Sequence, residues 1–196
     1  GRGEARWLAL RALGRLEPAV LAQDADAIAG RLADGDANVR TAALRALCKL
    51  EPMVLAEHAG KLASRLGSGN EYEHCLVLYA LGRLESHDLA EHADAIVARL
   101  DDGDEHVRAG ALIALGNLAP AVLRRHVQAI LPRLEDGDAQ VRQTASRVIG
   151  KAQPEGGAPP ESRGGPGDPG AQDNERMATL RAAFGWLDDQ GGGGGG

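Results

Sequence analysis

Six histidines and two cysteines are the side chains of this sequence best suited to hold a metal ion or to act as a nucleophile. His58, His92 and His126 recur with a constant spacing of 34 residues. Ligands of one zinc ion each sit about 2 Å from the metal. Neighbouring stacked helices lie about 8–10 Å apart, so histidines in register on successive helices are too distant to share an ion. A partly exposed position of a repeat accounts for them. Cys48 and Cys75 form no CxxC pair and read as reduced thiols of an intracellular, cytoplasmic protein. Carboxylates gather at Asp102, Asp104 and Asp136, where helix capping explains them. No Gly-rich phosphate loop lies between a strand and a helix. The expectation is a chain with no catalytic residue, no metal and no cofactor, and therefore not an enzyme.

The spacing of 34 extends far beyond the histidines. Arg-Leu occurs at 31–32, 65–66, 99–100 and 133–134. Asp-Gly-Asp occurs at 34–36, 102–104 and 136–138, with Ser68-Gly69-Asn70 in the remaining slot. Val-Arg occurs at 39–40, 107–108 and 141–142, with Ala5-Arg6 before them and Glu73-His74 between. Self-similarity at one period marks a repeat architecture.

Each unit reads as an antiparallel helix pair. Pro18, Pro52 and Pro120 suit a first helical turn, where the missing N–H has no partner to lose. Leu21, Ala25, Ile28 and Leu32 form one helical stripe. Gly35 then ends the first helix and Asp36 caps the second, whose inner face carries Val39, Ala43, Leu47 and Leu50. One such pair cannot bury its apolar face alone, but stacked pairs can. The fold class is all-α: a right-handed α-solenoid over residues 1–152. It comprises a partial repeat at 4–16 and units at 18–50, 52–84, 86–118 and 120–152. The partial repeat lacks a first helix and reads as part of a longer array. Small residues at Gly14, Cys48, Gly82, Gly116 and Gly150 allow close helix approach.

The Asp turn followed by x-x-Val-Arg-x-x-Ala-Leu resembles the HEAT repeat and its short HEAT-like variants. The tetratricopeptide Trp, Tyr and Phe landmarks and the ankyrin Thr-Pro-Leu-His are absent. The resemblance implies a structural ladder between neighbouring repeats, falling here on Asp34, Asp102 and Asp136 with Arg40, Arg108 and Arg142. Ser68, Glu73 and His74 depart from it, so the second unit should be irregular. The resemblance also brings in two enzyme alternatives, deoxyhypusine hydroxylase and the bilin lyases. Against the first, Glu57-His58, Glu73-His74, Glu91-His92 and Glu105-His106 reverse the His-Glu order and occupy different parts of the repeat. No feature specific to the second is present. A purely structural spacer is the third reading.

The leading expectation is a protein-interaction scaffold that binds along its second helices, the concave side in HEAT-like arrays. Arg11, Arg45, Tyr79, Ile113 and Arg147 form one file. Arg15, Lys49, Arg83, Asn117 and Lys151 form another, four residues later on the same helical face. The expected partner is a protein or peptide segment, acidic with an apolar anchor. A general nucleic-acid binder is disfavoured by the net charge of −6. No apolar run approaches the roughly 20 residues of a membrane span. Aromatic residues are only 3% of the chain, which gives a deep ligand pocket few large walls.

Beyond the array, residues 153–172 read as a flexible Pro- and Gly-rich linker. Residues 173–189 read as a short amphipathic helix with Met177, Leu180, Phe184 and Leu187 on one face and Trp186 beside it. Residues 190–196 read as a disordered polyglycine tail.

Overall fold

The computed structural model describes residues 2–13, 15 and 17–152. The linker, amphipathic helix and polyglycine tail expected over residues 153–196 lie outside them, as does Gly14. Among the described residues the fold is entirely helical. α1 (Arg2–Leu13) precedes the four units. The first unit holds α2 (Pro18–Leu21), α3 (Ala25–Ala29) and α4 (Ala37–Leu47). The next holds α5 (Pro52–Ala56), α6 (Ala59–Ser64) and α7 (Glu71–Gly82). α8 (Ser86–Ala90), α9 (Ala93–Val97) and α10 (Glu105–Leu115) follow. α11 (Pro120–Leu123), α12 (Val127–Ile130) and α13 (Ala139–Ala152) complete the last unit.

The first helix of each unit is therefore not continuous, as its apolar stripe had predicted. It breaks at Asp24, His58, His92 and His126, where φ is −108°, −109°, −111° and −104° and ψ lies close to zero. This is the sparsely populated bridge region between helix and strand. The His58 N–H closes a tight turn on the Leu55 carbonyl, and the His58 carbonyl accepts from Leu62 to start the next helix. His92 repeats both bonds with Leu89 and Ile96. The break redirects the chain without losing the stripe: Leu21, Ala25, Ile28 and Leu32 are all buried. The histidine file thus marks a bend. His92 and His126 are half-buried, but His58 is buried.

Consecutive second helices α1, α4, α7, α10 and α13 pack directly on one another, while first helices meet their neighbours sparingly. The core follows this stack through Leu47, Leu50, Leu81, Leu84, Leu112 and Leu115. Gly116 shows why a small residue recurs there, since a Cβ on it would stand 3.0 Å from Val148 Cγ2. No helix among the described residues is long and apolar enough to cross a membrane.

Candidate interaction surface and the inter-repeat ladder

In the first, third and fourth units the turn before the second helix does two jobs with two carboxylates. The second Asp caps the helix: Asp36 accepts from the Asn38 N–H at 2.9 Å, and Asp104 from His106 and Val107 at 2.9 and 3.1 Å. Asp138 accepts from Val141 at 2.9 Å. Side-chain oxygens placed this way satisfy N–H groups that lack helical partners. The first Asp folds the turn itself. Asp34, Asp102 and Asp136 accept from the N–H two residues on at 3.0, 3.1 and 3.0 Å. Their outer oxygens then face the preceding unit.

Arginines of the preceding second helix meet them there. Arg6 contacts both Asp34 oxygens at 3.0 and 3.1 Å. Arg108 holds Asp136 through Nε and Nη2 at 2.9 and 2.8 Å, a fork that matches the carboxylate. The same guanidinium uses Nη1 to bind the carbonyls of Asp102 and Gly103 in its own turn. Arg108 therefore locks its own turn and the next unit together, and Arg40 does the same with Asp34, Gly35 and Glu73. The Arg108 hydrogen bonds hold the Asp136 carboxyl below the usual carboxylate range despite burial, assisted by the Asp138 N–H. At Asp34 the Asp36 N–H has the leading effect in the same direction, with Arg6 assisting.

The second unit solves the same problem differently. Ser68 offers no carboxylate, so Glu73, in the slot of Val39, Val107 and Val141, supplies one from inside the core. Glu73 is 0% exposed. It accepts from Arg40 Nη2 and Nε at 2.8 and 3.2 Å and from Arg65 Nη2 at 3.2 Å. Burial alone would raise its pKa, but the Arg40 and Arg65 hydrogen bonds outweigh that and lower it. The turn changes shape to admit the carboxylate. Gly69 has φ +122°, and a Cβ there would stand 2.9 Å from Glu73 Oε2. The irregularity expected in this unit is thus local to a turn, and the arginine rung persists across it. The next rung is weaker: His74 Nδ1 lies 3.6 Å from Asp102 Oδ2, beside Arg99 Nη1 at 3.4 Å.

The two files expected to form a binding strip divide in the same way. Arg11 is exposed and lies over the Trp7 ring, 5.3 Å from its centroid. Arg15, Lys49, Arg147 and Lys151 are also exposed. Arg45 is half-buried and donates to the Tyr72 hydroxyl at 2.8 Å. Tyr79 is half-buried, and Ile113 is only 5% exposed. Arg83 donates to the Cys48 carbonyl, Asn117 to Gly82 at 2.9 Å and Lys151 to Gly116 at 3.3 Å. Those three acceptors stand at the C-terminal ends of the preceding second helices, where carbonyls lack helical partners. That file therefore sews one helix end to the next as well as presenting charge. The offset of 35 residues between donor and acceptor is not a visible sequence motif, which is why this task was missed.

First helices carry more of the exposed carboxylates, although Arg31 and Lys61 are exposed among them. Asp24, Asp26, Glu57, Glu91 and Asp94 are exposed on them. The last unit reverses this with exposed Arg124 and Arg125, a switch readable in the sequence by aligning Glu57 and Glu91 with Arg125. Among the described residues no three His, Cys, Asp or Glu side chains converge into a group that could hold a metal ion. Residues 105–152, spanning α10 to α13, match the family described as HEAT-like repeat. No curated protein matches the chain.

Proposed function

We propose that this chain, which carries a HEAT-like repeat, is a non-enzymatic interaction scaffold that holds an acidic peptide segment along its second helices. The observation that supports this reading is the set of exposed cations Arg11 and Arg147 on α1 and α13 and Arg15 and Lys49 just past the ends of α1 and α4, with half-buried Arg83 between them. Exposed carboxylates at Asp24 and Asp26 in the first unit and at Glu91 and Asp94 in the third disfavour a negatively charged segment on the first-helix side. A rigid stack leaves only the cationic side chains, not the backbone, to be ordered on binding, which favours affinity. Second helices spaced about 10 Å apart place the outermost of five about 40 Å from each other. An extended segment of about 12 residues covers that distance. Tyr79, half-buried midway, is the apolar contact.

The test is a fluorescence-anisotropy titration with a labelled 14-residue glutamate-rich peptide carrying one central leucine. Arg15→Glu, Lys49→Glu and Arg147→Glu together should weaken binding by about tenfold or more, or about 1.4 kcal/mol. Helical circular dichroism should be unchanged. Arg124→Glu with Arg125→Glu should leave binding intact. Equal affinity for the triple variant and the parent would dismiss the second-helix face as the site.

A further inference from the structure

The last described unit has an open side that the other units do not. Leu134 is 38% exposed, whereas Leu32, Leu66 and Leu100 in the same slot are 3%, 2% and 2% exposed. Leu131 is also 38% exposed, against 2% for Ala29, 9% for Ala63 and a half-buried Val97 in its slot. A Cβ on Gly150 would meet nothing within 4 Å, while one on Gly116 would press on Val148 of the following helix. Arg142 repeats the bonds to its own turn, reaching the carbonyls of Asp136 and Gly137 through Nη1. In Arg40 and Arg108 the remaining Nε and Nη2 clasp a carboxylate of the next unit. Among the described residues no carboxylate takes that place at Arg142.

We infer that residues 173–187 of the same chain seat on α13 as one further second helix. Counting 34 residues on from α13 and its counterparts places this segment in register. Arg176 falls in the slot of Arg40, Arg108 and Arg142. Leu180 falls with Leu44, Leu78 and Leu112, and Trp186 with Leu50, Leu84 and Leu118. Ala182 takes the slot of Val148 and so lies against Gly150, as Val148 lies against Gly116. Glu175 occupies the Glu73 slot and follows Arg142 by 33 residues, the separation of Glu73 from Arg40. Glu175 thereby offers Arg142 the carboxylate that Glu73 offers Arg40, with a different turn before it, since the slots of Arg65 and Gly69 hold Gly167 and Ala171. Phe184 stands where Cys48, Gly82, Gly116 and Gly150 admit a close neighbour, so the seated helix presents a bulky outer side. Residues 153–172 replace a first helix. A flexible chain of 20 residues has an end-to-end distance of about 25 Å. A return along 14 helical residues needs about 21 Å.

Hydrogen–deuterium exchange of the full chain tests the seat, independently of any peptide partner. Amides of 176–187 should exchange at least about tenfold more slowly than in a synthetic peptide of the same sequence, at every protein concentration. Glu175→Arg and Gly150→Leu should each abolish that protection while exchange in α4 and α7 stays unchanged. Peptide-like exchange in the parent chain overturns the inference. So does protection indifferent to both substitutions, or protection lost on dilution, which would assign the open side to a second copy.

Discussion

Glu73→Val would give the second unit the residue that its neighbours carry, and it should nevertheless destabilise the chain. Glu73 is 0% exposed, and the Arg40 and Arg65 side chains it pairs are 17% and 18% exposed. Removing one partner of a buried ion pair costs about 3–5 kcal/mol, because the other charge is left without compensation. The arginines retain some solvent, and the valine adds apolar burial, so the lower end applies: about 3 kcal/mol. For a chain of this size, each kcal/mol shifts the melting temperature by about 2–4 °C, which predicts a fall of about 6–12 °C. Adding Ser68→Asp should recover about 2 kcal/mol or more. The aspartate gives Arg40 the fork that Asp136 gives Arg108 at 2.8 and 2.9 Å. Gly69 lets the turn relax from its φ of +122° without steric cost. Thermal and urea denaturation of the four proteins, followed by far-ultraviolet circular dichroism, closes this mutant cycle. A midpoint for Glu73→Val at or above the parent's would refute the compensation argument. A double variant no more stable than the single one would do the same.

Acid should loosen the array through the same groups. Glu73 and Asp136 have lowered pKa values in the folded state, so their contribution is complete above the unfolded carboxylate range and is lost as pH falls through the folded values. Stability measured between pH 7 and pH 2 should therefore drop below about pH 4.5, and less steeply in Glu73→Gln; equal slopes would contradict this. Burial, assisted by Asp104, Asp102 and Glu71, pushes the Cys75 thiol up to about 12. Iodoacetamide at pH 8 should leave Cys75 unmodified until the chain is unfolded, and mass spectrometry of native protein would reveal the opposite. Asp104→Ala removes the cap of α10 and should cost about 1–2 kcal/mol in urea denaturation, since Asp104 accepts two N–H groups. A change within error would show that solvent caps α10 equally well.

The repeat, its turns and its second helices were legible because each rests on local chemistry. Asp36, Asp104 and Asp138 cap the helices that follow, but Gly35, Gly103 and Gly137 before them are not left-handed as the sequence suggested; among the described residues Gly69 alone has positive φ. The break in the first helix was not legible. One bridge-region residue at His58 or His92 leaves apolar positions at helical spacing on both sides, so the stripe Leu21, Ala25, Ile28, Leu32 reads as one helix. The Glu73 rung was half-legible: Ser68 loses a carboxylate and the Val slot gains one in the same unit, but only the fold brings Arg40 and Arg65 to it. The surface files were legible as charge patterns, not as exposure. Ile113 looked like an anchor by register, yet α10 packs between α7 and α13 and almost closes over it.

The scaffold reading turns on where an acidic segment lands. The most direct measurement is photocrosslinking with the same glutamate-rich peptide, its leucine replaced by benzoylphenylalanine, with the adducts located by mass spectrometry. Adducts should concentrate on second helices, around Arg45–Lys49 and Tyr72–Tyr79, and disappear at high salt. Adducts centred on Arg124 and Arg125 of the last first helix, or scattered over both sides, would contradict it.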